Sequence, residues 1–463
     1  MTDTIDELCE GLLRREHLPS ISVAIGVGDA VVDTRLYGFA DRANRIRPAR
    51  DTAYLLASVT KPITATAVVL LAQHGLLDLD QPIEEQLGGL RLPRTPAAAG
   101  TAPTIRQTLN HTAGLGTYWD FYYADRGDRR PPFAQTVERY GLLFRPAGSA
   151  FEYSNLGYGL CDQVIATVTG EDPAEFVRRE IFQAVGASTG RVGARYRGIA
   201  PPARPYPKEP FGPYPDFDSS HRGASLAWLS AEDLVRFGLS HCGTNSVLTP
   251  GSIEQAHSPG LPADSSGESY TLGWGIRRSG GTAILSHGGD MGGVGAVLVI
   301  VPEHQVAVSV LINRSSSLTF ARAVSNAILD SLVPGFTPPI SSPPLSRGPR
   351  LGVGGWSGVI STYEGDVPLY LKVDADGSVD GSIADQATVT AVVDSPGPDD
   401  VFEVNLTLPQ RMPTADCAKS AETTICLDLQ EHTATGAARA TRRGEPAGRM
   451  SDCRTHWVQL TRT

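Results

Sequence analysis

Between residues 334 and 350 the chain reads Pro-Gly-Phe-Thr-Pro-Pro-Ile-Ser-Ser-Pro-Pro-Leu-Ser-Arg-Gly-Pro-Arg. Proline lacks a backbone donor and holds the residue before it extended, so no helix or interior strand runs through such a stretch. It predicts a semi-rigid linker that divides the 463 residues into two folding units, 1–333 and 351–463. Each is long enough to bury a core.

The first unit opens on a hairpin. Ile21-Ser-Val-Ala-Ile-Gly-Val, a Gly28-Asp29 turn and Ala30 to Tyr37 carry the strand signal. From Ser58 to His74 the period is helical, with Ile63, Ala67, Leu70 and Leu71 on one face and Gly75 as the stop. Further helices are expected over 104–110, 157–168 and 172–183, the last with Asp172 capping before Pro173. Ser230-Ala-Glu-Asp predicts a helix start with Ser230 and Asp233 in a capping box. Strands follow at Tyr270 to Ile276, Ala283 to His287, Val294 to Val301 and Gln305 to Ile312, then a helix over 318–332. Strand hairpin, helical middle, antiparallel strands and terminal helix make an α+β unit whose sheet joins both ends.

The second unit is predicted to be a small all-β barrel or sandwich. Val367 to Val373, an Asp374-Ala-Asp-Gly turn and Ser378 to Ile383 form a hairpin. Short strands continue at Ala387 to Val393, Val401 to Leu408, Thr423 to Leu429 and Thr455 to Leu460. Asn405-Leu-Thr407 fits a glycosylation triplet but reads as strand sequence.

A net charge of −10 argues against a nucleic-acid partner. No run of eighteen apolar residues predicts a membrane span. The first sixteen residues have no basic region before an apolar run, so a cytoplasmic protein is expected. Its six cysteines then read as buried thiols, although Cys417 and Cys426 are placed to pair in an exported chain. No Cys-x-x-Cys or His-rich tract offers a metal site.

Ser58-Val59-Thr60-Lys61 puts a hydroxyl and an amine on one face of a helix start, within mutual reach. A serine is a poor nucleophile until a base adjoins it, and a desolvated lysine is one. The free N–H groups of a helix start also suit a developing oxyanion. Tyr153-Ser154-Asn155 offers a phenol and an amide before a helix. Ser286-His287-Gly288-Gly289-Asp290 ends a strand, where glycines allow close backbone approach. Singly, each reads as ordinary structure: a cap, a half-buried aromatic, a turn histidine. Their order along the chain is what counts.

That order resembles the serine β-lactamase and penicillin-binding-protein superfamily, in its class C-like branch of esterases, D-aminopeptidases and penicillin-binding-protein-type thioesterases. The pattern there is Ser-x-x-Lys, Tyr-x-Asn, then Lys-Thr-Gly or His-x-Gly, matched by Ser58/Lys61, Tyr153/Asn155 and His287/Gly289. Leu109 to Leu115, Tyr153 to Tyr158, Ser230 to Leu234 and Leu272 to Gly275 are also similar. The resemblance covers about residues 5–333. It implies a β-lactamase-like sheet flanked by helices with a mostly helical second lobe, and an acyl-enzyme on Ser58 formed without cofactor or metal. Lys61, helped by Tyr153, would be the base, and Tyr153 would protonate the leaving group. Asn155, Gly288, Gly289 and Asp290 would bind substrate, the oxyanion lying between the N–H groups of Ser58 and Asp290.

His287 stands where β-lactamases keep a lysine, which argues for an esterase or peptidase rather than a β-lactamase. Lys61, Tyr153 and His287 would share one positive charge, so the rate should change around the imidazole pKa. The substrate would be a small acyl compound or a peptide. The layout with one small β domain, lipocalin-like in such relatives, also fits a thioesterase cyclising a nonribosomal peptide delivered on a carrier protein. A penicillin-binding sensor that acylates without turnover is the other alternative. His74 and His111 read as structural, the latter fixing a loop. Trp119, Phe121, Tyr122 and Tyr123, with Tyr206, Tyr214 and Phe217, either line an acyl pocket or pack their loops.

Overall fold

Strand β1 (Ser20–Val27) is buried at every position except its last, a pattern that only an interior strand tolerates. In the computed structural model, which describes residues 2–208, 212–262, 267–339, 351–394, 402–444 and 449–463, helix α1 (Thr2–Glu16) leads into β1 and β2 (Ala30–Gly38). The tight turn between them uses Gly28 at φ 66°, a left-handed backbone that glycine takes without strain. Helix α2 (Thr60–Gln73) is buried from Thr60 to Leu71. It is therefore a core helix rather than a surface one.

The helical lobe adds α3 (Asn155–Thr169), the single turn α4 (Arg222–Ser225) and α5 (Ala231–Ser240). Strands β3 (Glu268–Tyr270), β4 (Gly275–Ser279), β5 (Thr282–Met291), β6 (Val294–Val301) and β7 (Val306–Ile312) precede helix α6 (Leu318–Leu332). The seven-stranded antiparallel sheet runs β2-β1-β7-β6-β5-β4-β3, so the early hairpin pairs with the last strand of the first unit, Val23 opposite Val310. Alternation along β1 sends Val23 and Ile25 to a core shared with α1 and α6. Ala24 faces the other core, with α2 and α5. This is the expected α+β sheet between helices with a helical second lobe.

Local departures have local causes. Tyr270 to Ile276 is not one strand, because residues 271–274 turn, with Gly273 at φ 91° and Thr271 N–H bonded to Trp274 O at 2.8 Å. Ser230 does cap α5, but the Asp233 carboxylate accepts from Thr189 instead of closing the capping box. The helix expected over 172–183 changes at Arg178 to a wider π-type turn. Of the expected linker, residues 340–350 lie outside the described residues. Its start is not free chain, since Phe336 is buried and Thr337 N–H donates to Ser279 Oγ at 2.7 Å.

The C-terminal unit is a nearly closed antiparallel barrel. Its strands are β8 (Gly354–Thr362), β9 (Gly365–Val373), β10 (Val379–Ile383), β11 (Val389–Thr390), β12 (Val392–Asp394), β13 (Val404–Leu408), β14 (Glu422–Leu429), β15 (Thr433–Arg442) and β16 (Asp452–Arg462). They run in the order 11-10-9-8-16-15-14-13-12. Ile360, Leu369, Leu406, Ile425 and Val458 fill the interior. Residue 401 of the strand expected at Val401 to Leu408 lies outside the described residues. The expected strand at Ala387 to Val393 breaks at Ala391 into β11 and β12. All six cysteines are free thiols, Cys417 and Cys426 included.

The barrel is docked on the helical lobe. Trp119 exchanges both backbone hydrogen bonds with Cys453, at 3.1 and 2.9 Å. Thr455 donates to Thr117 O and Tyr140 to Asp416. Arg145 pairs with Asp428 at 2.8 Å, and Phe144 packs on Trp457. Arg439 on β15 approaches the buried Glu152 at 3.5 Å, one residue from Tyr153. Burial pushes the Glu152 carboxyl up, opposed by Arg439 and then Arg145. Arg439→Met should therefore lower the unfolding free energy by about 3 kcal/mol in urea denaturation. Glu152→Gln in the same background should recover most of that loss. Equal stability of Arg439→Met and wild type would mean the carboxyl is neutral already.

Candidate active site

Ser58 lies in a short 3-10 turn, Ala57–Val59, that runs into α2. Ala57 before it has φ 48°, a left-handed conformation that costs an alanine of order 1 kcal/mol and persists only where neighbours enforce it. Strand β5 does so. A Cβ on Gly289 would fall 2.1 Å from Leu56 O and 3.2 Å from Ala57 Cβ, so glycine is required for the strand to lie against this turn. Gly289 thus serves the chain's own packing, between Gly288 and Asp290, which line the two cavities beside the site.

Lys61 is fully buried. Its Nζ stands 3.2 Å from Ser58 Oγ, 2.7 Å from Asn155 Oδ1 and 3.3 Å from Ala224 O. The Tyr153 ring centroid is 4.5 Å away. None of these partners is an anion, so burial holds the amine well below the ordinary lysine value. The neutral amine needs a donor for its lone pair. Asn155 Oδ1 and Ala224 O can only accept, which leaves the Ser58 O–H as the group that can donate. Asn155 is fixed in this sense because its Nδ2 donates to Tyr118 O at 3.0 Å. Tyr153 hydrogen-bonds Ser58, and burial pushes its phenol up.

His287 differs from expectation. Its Nδ1 lies 2.8 Å from Gly288 O, a pure acceptor, so the ring hydrogen sits there. Nε2 then accepts from Tyr270 O–H at 2.8 Å. Burial, reinforced by Lys61, pulls His287 down to about 3. It therefore carries no share of a positive charge near neutrality, and its ring centroid is 6.4 Å from that of Tyr153. Tyr270, its partner, had no motif to mark it. His111 fixes the Tyr153 loop as expected, accepting from Ser154 N–H at 3.1 Å.

Two cavities meet at Tyr153 and Thr117. One, of about 680 Å³, is lined by Ser58, Asn155, Trp119, Phe121, Tyr214 and Asp290 from the first unit and by Arg449 and Met450 from the barrel. The other, of about 690 Å³, is lined by His287, Gly288, Tyr270 and Arg322. Trp119, Phe121 and Tyr214 are thus pocket walls. Phe217 packs behind Phe121, with centroids 5.5 Å apart. Tyr122 pairs with Asp218, Tyr123 O–H receives Met450 N–H at 2.8 Å, and Tyr206 braces Arg42, all three in packing roles. The Asp290 carboxylate accepts from the Ser316 backbone. Among the described residues no cluster of three or more His, Cys, Asp or Glu could hold a metal, and no helix is long and apolar enough to cross a membrane.

The Beta-lactamase family model matches residues 5–332, and the chain belongs to that family. It is similar to Penicillin-binding protein 4* of Bacillus subtilis (strain 168), 23% identical over 68% of this chain and 72% of that protein. It is also similar to Protein flp of Staphylococcus aureus (strain N315), 22% identical over 67% of this chain, and spans 63% of the length of that relative. Among solved structures, SurE with D-Leu is covered at 99% by the whole of this chain, with a TM-score of 0.65 and 21% identity. A class C beta-lactamase aligns over 72% of this chain and 96% of its own, with a TM-score of 0.60 and 19% identity. The D-amino acid amidase of Ochrobactrum anthropi SV3 aligns over 72% of this chain and 99% of its own, with a TM-score of 0.57 and 22% identity. At these identities the structures report fold.

Two measurements follow from the buried amine and the neutral imidazole. The unfolded lysine keeps its proton at neutral pH and the native one favours losing it, so stability from this site rises with pH until the unfolded lysine titrates. Lys61→Met should therefore raise the melting temperature at pH 7, the gain shrinking toward pH 10; a lower melting temperature at pH 7 contradicts the reading. Because His287 protonates only near 3, the acid limb of kcat/KM between pH 5 and 8 should coincide in wild type and His287→Asn. A limb confined to the wild type would restore the charge-sharing histidine.

Proposed function

We propose that this chain is a serine hydrolase or acyltransferase that forms an acyl-enzyme on Ser58. The observation that carries the reading is the buried Lys61 amine: of its three hydrogen-bond partners among the described residues, only the Ser58 hydroxyl can donate to its lone pair. In the first half-reaction Ser58 Oγ bonds to an ester or amide carbonyl carbon as its proton moves to Lys61. The bond from that carbon to the leaving group then breaks, and the leaving group takes the proton through the Tyr153 phenol. N–H groups of Ser58 and Asp290 hold the oxyanion. In the second half, water or an amine bonds to the acyl carbon, the ester bond to Ser58 breaks, and the nucleophile's proton returns to Ser58 by the same route.

A finer reading has its own support. The likeness to SurE runs through the barrel to both chain ends, whereas the class C beta-lactamase and the amidase align with 72% of the chain. That structure holds D-Leu, and the amidase is one of a D-amino acid. Together with the barrel residues on the cleft wall, these favour a peptide-like acyl group with a D-residue, released to water or, in the alternative reading, by cyclisation onto its own amine. A sensor that acylates once is disfavoured by the histidine at position 287.

Intact-mass spectrometry with an activated ester panel tests the central claim. Wild type should gain one acyl mass, mapped to Ser58, and Ser58→Ala none; an unlabelled wild type sinks the proposal. A peptidyl thioester with a free amine then separates the outcomes. Linear acid marks a hydrolase, cyclic product a cyclase, and a stoichiometric burst without turnover the sensor.

A further inference from the structure

Three buried side chains of the Ser58 cleft region take no part in the steps above. Asp120, His221 and Ser225 are 0%, 1% and 4% exposed. They look like a second Ser-His-Asp set, but their hydrogen bonds run the opposite way. The Asp120 carboxylate is taken by Tyr118 O–H at 2.8 Å, Ser219 O–H at 2.9 Å and Ser220 N–H at 2.9 Å. It stands 3.6 Å from His221 Nε2, beyond hydrogen-bond length.

What reaches Nε2 is the Asp120 backbone N–H, at 3.3 Å. A backbone N–H only donates, so Nε2 is the bare nitrogen and the ring hydrogen sits on Nδ1. From there it points to Ser225 Oγ at 3.0 Å. Burial keeps His221 down to about 4, so this neutral tautomer holds through neutral pH. The imidazole therefore cannot take the Ser225 proton, and Ser225 is no second nucleophile.

The same bond leaves Ser225 with its own hydrogen to place. Among the described residues its hydroxyl has no partner besides His221, and both residues line the cavity that holds Ser58. The preceding residue, Ala224, supplies the carbonyl that meets Lys61, so the hydroxyl stands beside the reacting centre.

We infer that Ser225 is a specificity-determining donor, its O–H turned into the cleft by His221 to bind the amide carbonyl of a peptide-like acyl group. The buried Asp120 carboxylate behind His221 disfavours an anionic acceptor there, which selects the neutral carbonyl over a carboxylate. A buried donor without an acceptor costs free energy that a carbonyl recovers and a hydrocarbon chain does not.

This inference deepens the Ser58 reading and rests on it, so its test has two arms. The first compares kcat/KM for p-nitrophenyl N-acetylglycinate and p-nitrophenyl pentanoate, acyl groups of equal chain length with and without the amide. Ser225→Ala should lower the ratio of the two roughly 5–10-fold. His221→Leu, which removes the donor that turns the hydroxyl, should lower it as well. His221→Asn, whose amide N–H can stand in for Nδ1–H, should hold the ratio, an outcome that mere structural damage would not give. An unchanged ratio in folded Ser225→Ala overturns the inference.

The second arm uses Ser58→Ala protein and no chemistry. N-acetylglycinamide titrated by NMR should bind several-fold more weakly when Ser225→Ala is added. Weaker binding there with no turnover by wild type would refute acyl transfer alone, and equal binding would refute the role of Ser225.

Discussion

Everything chemical in this molecule depends on one amine kept dry without a counter-ion. Lys61 sits in the first turn of a helix whose first twelve residues are all buried, and its partners are a hydroxyl, an amide oxygen and a carbonyl. An ammonium there would find acceptors for its three hydrogens but no negative charge to offset lost hydration. A carboxylate at any of those three positions would restore the charge and make the amine useless as a base. The neutrality of its neighbours is thus the functional feature, and the stability lost by burying a lysine is part of the design.

Geometry around that amine is enforced from the sheet. Strand β5 presses Gly289 against Leu56 O, and the contact holds Ala57 in its left-handed conformation. Ser58 is presented by strain stored one residue away. The barrel closes the remaining side by pairing Cys453 with Trp119 and setting Met450 against Gly292 and Tyr123. The cleft is thus lined by residues of both units, Arg449 and Met450 of the barrel among them.

What could be read in advance was whatever rests on short-range order. The β1–β2 hairpin, α2 and α6 follow from alternation, helical period and a glycine stop, and the first two motif pairs mark Ser58, Lys61, Tyr153 and Asn155 by spacing. Other elements hide because their residues are chosen for neighbours far along the chain. Strand β15, Thr-Ala-Thr-Gly-Ala-Ala-Arg-Ala-Thr-Arg, has the small side chains of a helix. It is a strand because β14 and β16 crowd it, a Cβ on Gly436 falling 1.9 Å from Cys426 O. Gly358 of β8 is crowded likewise by Gln459 O. Helix α1 is masked in the sequence by its many charged residues. His221 and Ser225 carry no motif, and Met450 enters the cleft from a separate folding unit.

The two histidines of the cleft region show why a residue type at a matching position does not settle its role. His287 and His221 are both buried and both neutral at pH 7. Their hydrogens are placed by neighbours with a single capability: Gly288 O can only accept, and Asp120 N–H can only donate. The first leaves Nε2 of His287 to receive the Tyr270 hydroxyl, so that imidazole orders a phenol. The second forces Nδ1 of His221 to donate to Ser225, so that imidazole orders an alcohol. In each case the backbone decides what the ring may do, and neither ring is left with a lone pair for the reaction. In the proposed reaction the proton then passes between Lys61 and Tyr153, two groups that burial drives in opposite directions, the amine down and the phenol up.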